Sequence, residues 1–500
     1  ELPQILNDEE ISLYSFYDYA NKNFNIEKLK QKDDIFSYQK SHIKSSLLVH
    51  SDAEQTKVAV EIFSKVLHYM NSNPLVSKKD PADFYSPVKF ILTKGLAIES
   101  LRDEIYCQLI KQSTSNPIQD LNIRVWELIH FTCSTFPPTR KLIKYFAAYL
   151  KTTIQQSDVS KSVKDSAQAS YFILQRFTLN GARKQVPSVT ELESIKENRP
   201  IFVRITATDG SLKGLHIDSA TTCQESSNDL SQRSRMRVNS KENGFTIIES
   251  FNGIERDIAP TDKLCDVLSK VENLQATLSS IQVNFKFVFK KKLFFDNITN
   301  NVPTTSINVE NEFYYHQLFN DLFNSNYCKD QDYQISIGSL KLQFESSDYT
   351  DEIRAWLPGN GRGKYFTTDI EKNRFDDFIN KYKSHKGLSP EDAKKQMVQL
   401  LEKHPLANCS LVVCEHQSES LPYPKNFVLA LNVNGINIYD PATSKMLESV
   451  KYSNQSQQNL KSDDKSVSII LENKSTLQAF TGDVQKLVSL IKEYSLYLRN

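Results

Sequence analysis

Glycine is scarce in this chain, 13 among 500 residues. Phosphate cradles built from backbone amides lean on glycine's conformational freedom, so the shortage counts against a glycine-rich nucleotide site. The seven cysteines (Cys107, Cys133, Cys223, Cys265, Cys328, Cys409 and Cys414) are odd in number and scattered, with no CxxC pair. That pattern argues against a disulfide framework or a zinc cluster and for buried thiols in a reducing, cytosolic compartment. No stretch approaches the run of about twenty apolar residues that spans a bilayer. The chain opens without an apolar signal segment, so the N-x-S/T triplets at Asn297, Asn408, Asn454 and Asn473 read as chance. Charge is balanced, 61 basic against 60 acidic residues, and any nucleic-acid or membrane role must come from a local patch. HExxH, GxSxG and Cys–His–Asn signatures are missing, and the nine histidines are dispersed. The expectation is a chain with no catalytic residues, no metal, no cofactor and no nucleic-acid partner.

What is present suits a folded chain of about three domains' length. It begins at Glu1 instead of a methionine, and the expectation is a piece of something longer. The first two hundred residues read as helices. Ser51-Asp-Ala-Glu54 is a capping-box pattern, followed by Ala59, Ile62, Phe63, Val66, Leu67 and Met70 at helical spacing. Ser86-Pro87 starts another helix, and Gly95 is placed to end it. Leu101, Ile105 and Leu109 give a third helix its apolar stripe, with Arg102, Asp103, Glu104, Gln108 and Lys111 assigned to the rest of its surface. Leu142, Tyr145, Phe146 and Tyr149 do the same for a fourth.

The grammar changes near Pro200. Ile201, Val203, Ile205 and Ala207 alternate, Asp209-Gly210 turns the chain, and Leu215 and Ile217 resume. A second hairpin surrounds Asn252-Gly253, and Val283, Phe285, Phe287 and Phe289 form a further strand. Two hairpins, a helix and a closing strand outline a ubiquitin-like α+β lobe, whose polar segment after Cys223 is its least secure helix. Residues 296–405 turn helical again, ending on a helix capped by Ser389-Pro390-Glu-Asp392. Strands return from Leu411, and Val484, Leu487, Val488 and Ile491 mark a closing amphipathic helix. Strands capped by one helix outline a pleckstrin- or phosphotyrosine-binding-type (PH/PTB-like) lobe.

Local words make this order specific. Phe36-Ser-Tyr-Gln-Lys-Ser-His-Ile-Lys-Ser-Ser-Leu-Leu48 and Leu101-Arg-Asp-Glu-Ile-Tyr-Cys-Gln-Leu-Ile-Lys-Gln112 resemble the two signature segments of the myosin tail homology 4 domain. Asn116-Pro117, Trp126-Glu-Leu128 and Phe136-Pro-Pro138 follow in order, and Pro187–Leu192 resembles the family's closing helix. His404-Pro405-Leu406 and Gly435-Ile-Asn-Ile-Tyr439 resemble the start and the central strand of a FERM third lobe. The chain thus resembles the MyTH4–FERM tandem cassette of unconventional myosin tails of the class-seven, ten or fifteen type. The implied architecture is a multidomain α and α+β chain: a helical domain over 1–198, then three FERM lobes. These are a ubiquitin-like lobe over 199–292, a helical acyl-CoA-binding-protein-like lobe over 293–405, and a PH/PTB-like lobe over 406–500.

The resemblance implies a cytoplasmic binding module of the cytoskeleton, the actin-rich cortex and protrusions such as filopodia. It would carry protein cargo for an actin-based motor whose ATPase lies outside this chain. The alternative is a motorless membrane–cytoskeleton adaptor or the tail of a kinesin-like protein. Microtubule binding is implied through Lys144 and Lys151, with Ala147 replacing a third lysine of the helix and Lys141 bordering the same face. The run Arg140–Lys164 holds six basic residues and one acidic one. Tail-to-motor autoinhibition is implied through Lys474, although Leu471 stands where a companion basic residue is expected. A peptide groove is implied beside the lobe's fifth strand, assigned to Leu447–Tyr452 with Val450 and Tyr452, and along Val484, Leu487, Val488 and Ile491. The same helix face also suits the lobe's own core. Lys290, Lys291 and Lys292 either touch anionic lipid or mark the exit of a buried strand. Gly359–Lys364 departs from GxxxxGK[ST] and reads as an irregular, flexible loop. Asp103 and Glu104 point about a hundred degrees apart on a helix, so they cannot converge on one substrate atom; they hold neighbouring helices or contact a partner.

Overall fold

The computed structural model describes residues 8–25, 35–50, 52–72, 80–277, 283–295, 304–323, 327–418, 421–455 and 463–498. Two compact units emerge: Glu1–Val203 with Gly214–Ser226 and Ala259–Phe285, and Arg204–Lys213 with Ser227–Ile258 and Lys286–Asn500.

The first unit is built on a helical bundle. Its helix Ala53–Asn71 is capped by Asp52, whose side chain accepts from the Glu54 amide. Ser51, the cap expected from sequence, lies outside the described residues. Ala59, Ile62, Phe63, Val66, Leu67 and Met70 are buried, as the spacing requires. Pro87 starts the helix Ser86–Ala97, but Gly95 does not end it. It sits within the last turn, where an added Cβ would lie 2.1 Å from the Phe136 ring. This glycine seats an aromatic ring. The helix Ser100–Ser113 also departs from expectation. Asp103, Glu104, Gln108 and Lys111 are buried together with its apolar stripe.

The ubiquitin-like lobe carries five strands: β1 (Ile201–Ala207), β2 (Leu212–Ile217), β3 (Phe245–Phe251), β4 (Ile254–Asp257) and β5 (Phe285–Lys291), in the order β2-β1-β5-β3-β4. β1 and β5 run parallel, with Ile205 opposite Phe287. Asn252 and Gly253 both take positive φ, 50° and 84°, as a two-residue hairpin of this hand needs. The polar segment is helical over Cys223–Arg233. Serines replace apolar residues on its inner face: the Ser227 hydroxyl accepts from the Ile247 amide, and Ser231 accepts from Asn243.

The helical lobe contains Thr304–Leu322, Gln331–Ser346, Asp351–Asn360, Thr368–Asn373, Phe375–Lys383 and Pro390–Lys403. Ser389 caps the last, accepting from the Asp392 amide at 3.1 Å. The Gly359–Lys364 loop is held, not loose. Glu371 accepts from the Gly359 amide and pairs with Arg362, and Lys364 pairs with Glu345.

The third lobe has strands β6 (Ser410–Glu415), β7 (Asn426–Asn432), β8 (Gly435–Asp440), β9 (Lys445–Val450), β10 (Ser466–Ile470) and β11 (Thr476–Phe480), in the order β10-β11-β6-β7-β8-β9. β8 carries the Gly435–Tyr439 word and is buried along its whole length, next to the outer strand β9. The segment expected as the fifth strand is the lobe's fourth, β9. It ends at Val450, and a 3-10 turn follows at Tyr452–Asn454. Beyond the turn, the Gln455 side chain bonds β10 twice, donating to the Ile470 carbonyl at 2.7 Å and accepting from the Ile470 amide at 3.1 Å. The helix Val484–Tyr497 closes the lobe, with Leu487, Leu490, Ile491 and Tyr494 in its core.

Candidate partner-binding surfaces

The two signature words pack against each other. Glu104 has no exposed surface, and its carboxylate accepts from the amides of Leu47 and Leu48 at 2.9 and 2.8 Å. Gln108 donates to Glu104 and to the Ala59 carbonyl. The Gln112 side chain exchanges a pair of hydrogen bonds with the backbone of Gln39, as a neighbouring strand would. Lys111 donates to the Ser37 carbonyl, and Asp103 accepts from both the amide and the hydroxyl of Thr139. Residues 36–48 form no regular element, so their buried amides and carbonyls need partners. The polar residues of the helix supply them. Of the two roles read from sequence for Asp103 and Glu104, this placement serves the first, joining neighbouring segments. Burial raises the Asp103 carboxyl above its usual range, against the lowering effect of the Thr139 bonds.

The basic helix runs Ile143–Gln155, so Lys141 precedes it in the turn at Leu142 and does not share its stripe. Lys141 is exposed. Lys144 pairs with Glu10 and lies 5.5 Å from the Tyr14 ring centre. Lys151 lies 5.5 Å from the centre of the Tyr171 ring. Ala147 is fully buried. That position faces the core, and a lysine there could not present its charge. Both helix lysines lay their stems along aromatic surface and keep only part of their length in water.

In the third lobe, Val450, Tyr452, Leu487 and Ile491 are core residues. The Tyr452 hydroxyl donates to the Asn432 and Gly435 carbonyls, and its ring stacks on Tyr494. Their side chains therefore shape the helix from beneath and do not line its surface. Val484 and Val488 are half-buried and line an open groove of about 460 Å³ with Gln485, Ser489, Lys492 and Glu493. Among the described residues β9 is an outer strand, and it exposes Met446 and Leu447. Lys474 is exposed at the tip of the β10–β11 turn in a left-handed conformation, φ 66°.

Of the two readings of the lysine triplet, the side-chain placement fits the exit of a buried strand. Lys290 pairs with Glu255 at 2.9 Å, and Lys292 with Glu493 at 2.7 Å and Asp257 at 3.2 Å. Lys291 is surrounded by the Phe294, Tyr314 and Phe245 rings, and burial lowers its ammonium to about 8.

Sequence reasoning missed a buried ionic knot within the first unit. Arg183, with no side-chain exposure, bonds Glu191 and, at 2.6 Å, Asp266. Burial works against the guanidinium, but the two carboxylates more than offset it and hold its pKa above the ordinary value. Asp266 also accepts from the Lys184 and Gln185 amides, and Glu191 from Ser219. Glu191 lies inside the Pro187–Leu192 word and was the available signal. Arg183 lies 8 residues from Glu191 and 83 from Asp266, beyond any local pattern.

Two family profiles match this chain, one described as the MyTH4 domain over residues 88–194 and one as an RA like domain over 199–293. With the helical and PH/PTB-like lobes that follow, they define a class of binding module. The chain belongs to the MyTH4–FERM family of unconventional myosin tails. It is 97% identical to a mutant form of the MyTH4–FERM MF1 domain of Dictyostelium discoideum myosin VII, covering 100% of this chain and 98% of that one with a TM-score of 0.95. The human myosin 7b C-terminal MyTH4–FERM domain, solved in complex with the harmonin-a PDZ3 domain, shares the fold at 20% identity and a TM-score of 0.72, over 97% of each chain. Myosin-VIIa of Drosophila melanogaster is 25% identical over 84% of this chain and 19% of its own length. Kinesin-like protein KIN-14I of Oryza sativa subsp. japonica is 23% identical over 84% of this chain and 34% of its own length. The chain thus spans about a fifth to a third of these relatives. No described helix is long and apolar enough to cross a membrane.

Proposed function

We propose that the chain is the cargo-binding and regulatory tail cassette of an actin-based myosin motor, divided near residues 198, 292 and 405. Its third lobe takes up partner peptides along the helix Val484–Tyr497. One observation carries the peptide reading: Val484 and Val488 stay half-buried on an open groove while the rest of the helix's apolar face is sealed in the core. An apolar floor edged by Lys492 and Glu493 suits a short amphipathic segment. The test is selection of a random peptide display library on the 500-residue chain, followed by titration of the selected peptides against V484D/V488D. The reading expects at least tenfold weaker binding to the variant. Equal binding would place the peptide site elsewhere.

Two further roles rest on the same family membership. Microtubule contact would use Lys144 and Lys151, with Lys141 beside them. Co-sedimentation that weakens with salt and disappears in K144E/K151E supports this role, because exposed charges are screened beyond about 10 Å at 0.1 M. Autoinhibition would use Lys474, whose exposed place on a tight turn suits a contact with the motor. Unchanged inhibition of the matching motor's ATPase by a K474A tail would remove that role.

A further inference from the structure

The groove on the helix Val484–Tyr497 is lined by two neighbouring rows of side chains, each stepping four residues at a time. Val484, Val488 and Lys492 make one row; Gln485, Ser489 and Glu493 make the other. The first row is apolar until it reaches Lys492, which is exposed and pairs with no carboxylate among the described residues. The second row ends on a charge that is already answered. Glu493 lies 2.7 Å from the Lys292 ammonium, and Ser489 accepts from that ammonium at 3.2 Å while donating to Glu493. Lys292 follows β5 of the ubiquitin-like lobe; its side chain is 11% exposed and also meets Asp257 of β4 at 3.2 Å. Burial works against its charge, but Asp257 and Glu493 more than offset it and hold its pKa above the ordinary value.

One side chain of the first lobe thus reaches the edge of a groove on the third and neutralises one of the two charges that line it. A partner is selected by the charge left unpaired and rejected by a like charge placed against it. We infer that Lys292 sets the charge selectivity of this groove. With Glu493 engaged, the charge left to a partner is the Lys492 ammonium, and the groove takes peptides that pair apolar residues with an acidic one. A basic peptide would have to draw Glu493 away from Lys292. Without Lys292 the rim gains an unanswered carboxylate and the preference turns basic. This inference rests on the peptide reading given above and names the class of peptide that the groove accepts.

The test selects a random peptide display library on the 500-residue chain, unaltered and as K292M, K292R and E493Q. Only peptides whose binding is lost when V484D/V488D is added to the same chain are kept. The unaltered chain is expected to select peptides of net negative charge. K292M should move its pool toward basic residues, each pool preferring its own host by about fivefold. E493Q releases Lys292 and should move its pool the other way, toward more acid. K292R keeps the charge and should keep the original preference. Opposite shifts for K292M and E493Q separate charge from packing, since a merely structural role would weaken both pools without changing their sign. Should K292M fail to fold, E493Q and K292R still decide the matter. A neutral or basic pool on the unaltered chain, an unshifted pool on E493Q or on folded K292M, or K292R selecting as K292M does overturns the inference. If no selected peptide depends on Val484 and Val488, the groove reading itself falls and this inference falls with it.

Discussion

Two helices of fourteen residues, Ser100–Ser113 and Val484–Tyr497, solve opposite problems. The first is buried at twelve positions, the second at five. A helix buried all round must find partners for the polar side chains it carries. This one finds them in the backbone of residues 36–48 for Glu104, Lys111 and Gln112, and in Ala59 and Thr139 for Gln108 and Asp103. Each residue is then fixed in kind as well as in polarity. The second helix needs only an apolar stripe, and its outer face is free to vary. The fully buried helix makes a specific sequence word and offers nothing to a partner. The half-buried helix makes a generic word and leaves a surface to be used.

Glu104→Ala should break the contrast most severely. It leaves two buried amides without an acceptor, at about 1–3 kcal/mol each, so a loss of roughly 4 kcal/mol is expected in urea unfolding. Glu104→Gln keeps one acceptor and should lose about half as much. Acid comes next. Burial lowers His130 from 6.5 to about 4. Between those values the unfolded chain binds more protons than the folded one, so stability falls as pH falls through that window. The expected loss is about 3 kcal/mol at 1.36 kcal/mol per unit. His130→Gln should remove about that much of the pH dependence between 6.5 and 4, leaving the part that His404, also lowered to about 4 by burial, contributes.

Gly95→Ala should cost about 2 kcal/mol, since the methyl overlaps the Phe136 ring. Phe136→Leu in the same chain should recover part of that loss, which separates crowding from a general effect on the helix. On the other side of the comparison, Val484→Asp with Val488→Asp should cost less than Glu104→Ala, about 1–2 kcal/mol for the pair, because both valines are only partly buried against the third-lobe core. A loss above 2 kcal/mol for that pair would show that the outer face of the third-lobe helix is structural as well.

Much of the fold was legible because its periods are clean. The 3.6-residue spacing of Ala59–Met70, the alternation of Ile201–Ala207 and the Asn252-Gly253 turn each predicted what formed. The polar face of Ser100–Ser113 misled because a hydropathy pattern cannot tell a solvated Glu104 from one bonded to two distant amides. Gly95 misled for a related reason: a glycine that yields space to Phe136 looks in sequence like one that stops a helix. Four residues assigned to a groove, Val450, Tyr452, Leu487 and Ile491, lie in the lobe's core. Leu487 and Ile491 follow the same i, i+4 rule whether a partner or a core lies beneath them.

The Gln455 side chain gives Ile470 one donor and one acceptor, the same pair that an added β-strand would offer. It is a one-residue stopper on β10. Among the described residues β10 is an edge strand, and an open edge offers itself to a further strand; the Gln455 amide occupies both backbone groups of Ile470 that such a strand would use. Gln455→Glu would keep the acceptor and lose the donor, and would set a carboxylate beside the Ile470 carbonyl at a position only 5% exposed, so that end of β10 would be destabilised as well as unsealed.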